Sequence, residues 1–138
     1  MTQSIYTAEV SGQPTFAKSP DGQLDIALGH PVEMGGDGVS GTNPEQLFAA
    51  AYIACFSGTS MMVAKQKGLT LSGAPELTCT CALVKGDTGP GYIFDVGLTV
   101  SLPGLTEAEA DEVVATADAI CPISNTLRGQ SRVAIRKG

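Results

Sequence analysis

The chain has 138 residues, 43% of them hydrophobic and 16% charged, which is enough for one globular domain with its own core over residues 1–138 and too apolar for a disordered chain. Its net charge is −6 with eight Lys plus Arg in all, which argues against the clustered cations that a nucleic-acid surface needs. Met1 to Val10 has neither a basic n-region nor an apolar h-region, so the expectation is a cytoplasmic protein without a secretory leader.

Ile5 to Val10 alternates apolar and polar residues and predicts a strand, broken by Ser11-Gly12-Gln13-Pro14 and resumed over Thr15 to Lys18. Ser19-Pro20-Asp21-Gly22 is a tight turn, and Leu24, Ile26 and Leu28 fall on one face of a third strand. The glycine-rich stretch from Gly29 to Thr42 is a long loop expected to help form a site. It contains the lone histidine, His30, which precedes Pro31 and reads as a loop residue rather than a metal ligand.

Asn43 to Gly68 predicts the central helix. Asn43 caps it, Pro44 takes the first helical position, Gln46 completes a capping-box pattern, and Gly68 ends it just after Lys65 and Lys67. No charge falls between Gln46 and Ala64, so the helix is expected to be buried on every side. The run is long enough to span a membrane, but Ser57, Gly58, Thr59 and Ser60 interrupt it and the flanking segments read as amphipathic strands, so no membrane association is expected. Its small residues, Ala50, Ala51, Ala54, Ser57 and Gly58, suit close packing against a sheet or a symmetry mate.

Leu77, Cys79, Cys81 and Leu83 share one face of a strand, and Phe94, Val96, Leu98, Val100 and Leu102 line one face of the next, giving a long hairpin with one buried side. Cys79 and Cys81 fit this face as plain core residues, although same-face thiols also admit metal or redox chemistry. Thr106 and Glu109 form a capping box for a second helix running to about Cys121, with Val113, Ala117 and Ile120 inward and Pro122 as its stop. Arg132 to Lys137 predicts a closing strand. The order of elements is that of an α+β domain.

Four cysteines in a leaderless acidic chain are expected to remain thiols. Cys55 in the middle of one helix and Cys121 at the end of another are the pair on elements expected to pack together. A free thiol has a pKa of about 8.5 and reacts as the thiolate, so a reactive Cys55 needs help to ionise. It lies about three turns from the positive end of its helix, too far for the dipole to supply that help. From the residues alone, a buried structural cysteine and a catalytic one both stand.

The segments GTNPEQLFAAAYIACF, residues 41–56, and CPISNTLRG, residues 121–129, resemble the two signature regions of the OsmC/Ohr family, in particular its organic hydroperoxide resistance branch. The PGLTEAEA start of the second helix and the EMGGDG loop are similar too, so the resemblance covers nearly the whole chain. It implies an α+β fold with antiparallel sheets around a long central helix, in an intertwined homodimer with two sites at the interface. It also implies a thiol peroxidase that reduces alkyl or fatty-acid hydroperoxides in the oxidative stress response. In that resemblance Cys55 matches the peroxidatic cysteine, Cys121 the resolving cysteine that closes a disulfide with it, and Glu45 the active-site glutamate. The reductant implied is dihydrolipoamide on a lipoylated partner protein, with no bound cofactor. Phe48, Tyr52, Phe56 and Met61 are candidates to favour alkyl chains, or ordinary core residues.

Glu45 also suits the first turn of a helix simply as a dipole partner. Ten residues separate it from Cys55, about 15 Å along one helix, so a two-fold related copy is the natural way to bring it to that thiol. Where the family carries an arginine that pairs with the glutamate and stabilises the thiolate, this chain has the uncharged Gln13. Lys18, otherwise a surface lysine, and Arg128, otherwise a buttress for the turn after Cys121, are the candidate cations. An amide or a flexible ammonium does not replace a bidentate guanidinium. A second reading follows from that departure: a redox-sensing or binding dimer that keeps the thiol pair with little or no turnover.

Overall fold

The computed structural model describes residues 3–138, which form two compact units, one reaching to Leu47 and the other Phe48–Gly138. In the first unit, β1 (Ser11–Gln13), β2 (Phe16–Lys18) and β3 (Asp25–Ala27) form an antiparallel meander, with Gln13 opposite Phe16 and Lys18 opposite Asp25. The turn before β3 is held by Asp21, whose carboxylate accepts from Ser19 Oγ at 2.6 Å and from the Gln23 N–H at 3.0 Å. A single 3-10 turn, Val32–Met34, interrupts the glycine-rich loop. Beyond it Asp37 accepts from the N–H groups of Val39 and Ser40, both at 2.9 Å, and from the Ser40 hydroxyl. These donors favour the charged form and hold the Asp37 carboxyl down at about 2.

The central helix, α1, is Pro44–Gln66. Its cap is as the sequence predicts: Asn43 Oδ1 accepts from the Gln46 N–H at 2.9 Å. The Gln46 side chain differs, accepting instead from the Thr42 hydroxyl at 2.7 Å. At the other end Gly68 adopts φ +72, and the Gly68 N–H to Lys65 and Leu69 N–H to Ala64 bonds close the last turn, a conformation that a residue with a Cβ resists.

The second unit packs α1 with the hairpin β4 (Glu76–Lys85) and β5 (Tyr92–Ser101), α2 (Glu107–Ile120) and the short α3 (Pro122–Leu127). The hairpin pairs over ten rungs, from Glu76 opposite Ser101 to Lys85 opposite Tyr92. Leu77, Cys79, Val96, Leu98 and Val100 turn toward the core formed by Tyr52, Phe56, Val63, Ala64, Leu102, Val113, Ala117 and Cys121. The capping box at Thr106 and Glu109 is complete in both directions. Lys67 pairs with Glu112 at 2.8 Å, tying the end of α1 to α2.

Several expectations are corrected. Ile5 to Val10 and Arg132 to Lys137 carry the alternation of strands but form none among the described residues, because alternation sets a face and a strand needs a ladder as well. Ser11 to Gln13, expected as a break, is β1. Pro122, expected only as a stop, also opens α3, since proline is well suited to a first helical position. Ile120 is not part of the inward stripe but is exposed.

Nor is α1 buried on every side. Tyr52, Phe56, Ser60, Val63 and Ala64 form one covered stripe, while Met61 and Met62 are 52% and 46% exposed. An uncharged sequence sets what a helix tolerates, and this chain supplies neighbours for one face only. The helix is long and apolar enough to cross a bilayer, but that stripe is built into the protein core.

Buried Ser60 has no hydrogen-bond partner for its hydroxyl among the described residues. Ser60→Ala removes that desolvated group and is expected to stabilise the protein by about 1 kcal/mol in urea unfolding. Thr106→Ala, which removes the α2 cap, is expected to destabilise it by about 1 kcal/mol in the same assay.

Candidate active site

Cys121 links two helices. Its backbone, at φ −64 and ψ 125, takes the extended conformation that a following proline favours, and α2 ends there while α3 begins with Pro122. The Cys121 N–H still donates to the Ala117 carbonyl at 2.8 Å, and its own carbonyl accepts from the Asn125 N–H at 3.0 Å, which fixes the elbow from both sides. The side chain is 0% exposed.

That elbow faces the middle of α1. The sulfur atoms of Cys55 and Cys121 lie 3.3 Å apart, with Cys55 partly accessible. Both are thiols in this structure. Closing a disulfide requires an S–S separation of about 2.05 Å, so the pair needs only a small further approach. One turn along each helix, Tyr52 and Ser124 meet through their hydroxyls at 2.6 Å.

Burial pushes the Cys55 thiol up, the Ile123 backbone N–H beside it holds it down, and the neighbouring Cys121 raises it again through its hydrogen bond and charge. The Ile123 N–H is free to do this because it lies in the first turn of α3, where backbone donors lack helical partners. The balance is upward, so within one chain Cys55 favours the protonated thiol. Burial also raises Cys79.

The other predicted site residues are placed as follows. Glu45 lies in the first turn of α1, ten residues before Cys55, and has no ion-pair partner among the described residues. Gln13 ends β1. Lys18 pairs with Asp25 across the β2–β3 ladder at 3.8 Å, both side chains well exposed. Arg128 donates to the Asp118 carbonyl at 3.1 Å and pairs with its carboxylate, so it buttresses the turn after Cys121. Tyr52 and Phe56 are buried, Phe48 packs against the core, and Met61 is exposed. Tyr52, Phe56, Leu98, Val100, Val114 and Asp118 line an open groove of about 500 Å³ whose lining includes neither Cys55 nor Cys121. Among the described residues no three His, Cys, Asp or Glu side chains are grouped to hold a metal ion. The roles of Tyr52, Ser124 and the Ile123 N–H had a sequence signal only in their three-residue and two-residue offsets from the two cysteines.

Residues 35–136 match the OsmC-like protein family. The chain belongs to that family. An organic hydroperoxide resistance protein of Xanthomonas axonopodis pv. citri (strain 306) is 40% identical over 134 residues, covering 95% of this chain and 93% of its own. The organic hydroperoxide resistance protein OhrB of Bacillus subtilis (strain 168) is 36% identical over 129 residues, covering 91% and 93%. The crystal structure of that OhrB superimposes with a TM-score of 0.79 at 35% identity, covering 92% of this chain and 94% of its own. An organic hydroperoxide resistance protein of Legionella pneumophila superimposes with a TM-score of 0.82 at 35% identity, covering 92% and 93%. Within the OsmC-like family, then, the chain falls in the organic hydroperoxide resistance branch, and its α+β architecture with antiparallel sheets is theirs.

If Cys121 raises the Cys55 thiol, removing it lowers that pKa. The pH midpoint for iodoacetamide labelling of Cys55 is expected to fall in Cys121→Ala relative to wild type; a midpoint that stays or rises would contradict the assignment of causes.

Proposed function

We propose that the protein is a thiol-dependent peroxidase that reduces organic hydroperoxides to alcohols. The observation that carries the reading is the 3.3 Å approach of Cys55 and Cys121 in a chain of the organic hydroperoxide resistance branch. The partly accessible Cys55, as thiolate, attacks the distal peroxide oxygen. The O–O bond breaks, the alkoxide takes a proton and leaves as alcohol, and Cys55 becomes a sulfenic acid. Cys121 then attacks that sulfur, the S–O bond breaks, water leaves and a disulfide remains. A dithiol reopens it by exchange, and dihydrolipoamide on a lipoylated protein is the proposed donor, with no bound cofactor. The groove lined by Tyr52, Phe56, Leu98 and Val100 is the proposed seat for an alkyl chain.

The working unit is proposed to be a homodimer of a single OsmC-like domain in the cytoplasm. Two features support this. The exposed face of α1, with Ala51, Ala54, Gly58, Met61 and Met62, is apolar and small enough for close helix packing, and Ile5–Val10 keeps a strand's alternation without forming a strand among the described residues. A second copy also supplies a route for Glu45 to reach Cys55. Replacing Met61 with Glu is expected to shift the sedimentation coefficient from dimer toward monomer; an unchanged dimer would exclude this face.

The raised Cys55 thiol and the uncharged Gln13 favour a second reading, a redox-sensing dimer with slow turnover. Steady-state reduction of cumene hydroperoxide and hydrogen peroxide with dihydrolipoamide separates the two. The peroxidase reading expects Cys55-dependent turnover that prefers the organic peroxide and is lost in Cys55→Ser. Gln13→Arg should raise kcat/KM several-fold and shift its acid limb to lower pH, as a cation that favours the thiolate would. Turnover that survives Cys55→Ser, or none at all with Cys55 reduced and labelled, would sink the reading.

A further inference from the structure

Tyr52 precedes Cys55 by three residues on α1, and Ser124 follows Cys121 by three residues on α3. Two segments that touch through sulfur therefore touch again, one turn away, through oxygen, at 2.6 Å. Both side chains are buried, at 7% and 2% exposure. Hydroxyls so placed have no water to exchange with, so losing this bond leaves a polar group unsatisfied.

The surroundings aim the pair. The Tyr52 ring stands edge-on to Phe48 and Phe56, with centroids 6.4 and 6.0 Å away, which fixes the direction of its phenol. On the other side, Asn125 Nδ2 donates to the Ala119 carbonyl at 3.3 Å, and Arg128 bonds the Asp118 carbonyl and carboxylate. These contacts lock α3 to the last turn of α2. The Tyr52–Ser124 bond then ties the whole elbow, with Cys121 at its corner, to α1.

We propose that Tyr52 and Ser124 are positioning residues for closure of the Cys55–Cys121 disulfide, holding the buried Cys121 sulfur where it captures oxidised Cys55. The proposal rests on the peroxidase reading above. After the first hydroperoxide has been reduced, the Cys55 sulfenic acid has two fates. Cys121 attacks it, the S–S bond forms, the S–O bond breaks, and hydroxide takes the Cys121 proton to leave as water. Alternatively a second hydroperoxide gives its distal oxygen to the sulfenic acid, is itself reduced to alcohol, and leaves an irreversible sulfinic acid. The first path depends on where Cys121 sits, and the second does not. The ratio of sulfinic acid to disulfide therefore reads the position of the elbow directly.

The test compares full-length wild type with Tyr52→Phe, Ser124→Ala and the double variant. Each is reduced, exposed to excess cumene hydroperoxide and mapped by mass spectrometry at Cys55, with melting temperatures measured in parallel. Each single variant leaves one hydroxyl unpartnered and loses stability; the double variant removes both, and its melting temperature should recover toward wild type. The expected result is a sulfinic acid to disulfide ratio about tenfold above wild type in all three, the double variant included, in line with the sensitivity of such steps to misplacement. A ratio that is unchanged throughout, or that returns to normal with stability in the double variant, overturns the proposal. If wild type is inert to hydroperoxide, it is the peroxidase reading that fails. The same proteins equilibrated with oxidised and reduced dithiothreitol then decide the positioning role: a smaller disulfide fraction in the double variant supports it, and an equal fraction overturns it.

Discussion

Proline at position 122 is the constraint on which the site depends. Its ring disfavours α-helical backbone at Cys121, and α2 stops there with that residue extended while α3 starts one residue later. Two consequences meet on α1. The Cys121 side chain is left at the corner of the elbow, buried and 3.3 Å from the Cys55 sulfur, and the first turn of α3 presents the Ile123 N–H to the same atom. A continuous helix would have used that N–H internally. The packing of Val113 and Ala117 under α1 sets where the elbow arrives, and the Lys67–Glu112 pair ties the far end of α1 to α2.

The electrostatics of one chain are incomplete. Burial and the second thiol push the Cys55 thiol up, and the single N–H donor from Ile123 does not reverse that. Chemistry at this sulfur needs a positive charge, yet Lys18 is engaged by Asp25, Arg128 by Asp118, and Gln13 is neutral. One face of α1, with Met61 and Met62, is also left uncovered. Both deficits point to a second copy as the proposed completion of fold and site.

Much of this was legible in the sequence because the signals were local. Asn43, Pro44 and Gly68 bounded α1, the period-two run from Phe94 to Val100 gave β5, and Thr106 with Glu109 gave the start of α2. The misses came where a local pattern needs a distant partner. Alternation at Ile5–Val10 and Arg132–Lys137 describes a strand without saying what it pairs with, and the uncharged run of α1 describes a tolerance for burial without saying which face is filled. α3 has no clear signal in the sequence because a proline can mark a helix stop and a helix start alike. The resemblance of GTNPEQLFAAAYIACF and CPISNTLRG to a family drew attention to Cys55 and Cys121, whereas their separation is a property of packing that spacing along the chain does not contain.

The most direct test of the account is a titration of the fully reduced protein with one equivalent of cumene hydroperoxide, followed by thiol counting and peptide mapping without reductant. The account predicts two thiols lost per peroxide, a single disulfide joining Cys55 to Cys121, and Cys79 and Cys81 recovered as alkylated thiols. A bridge involving Cys79 or Cys81, a bridge between copies, or an unmodified Cys55 after the peroxide is spent would contradict it.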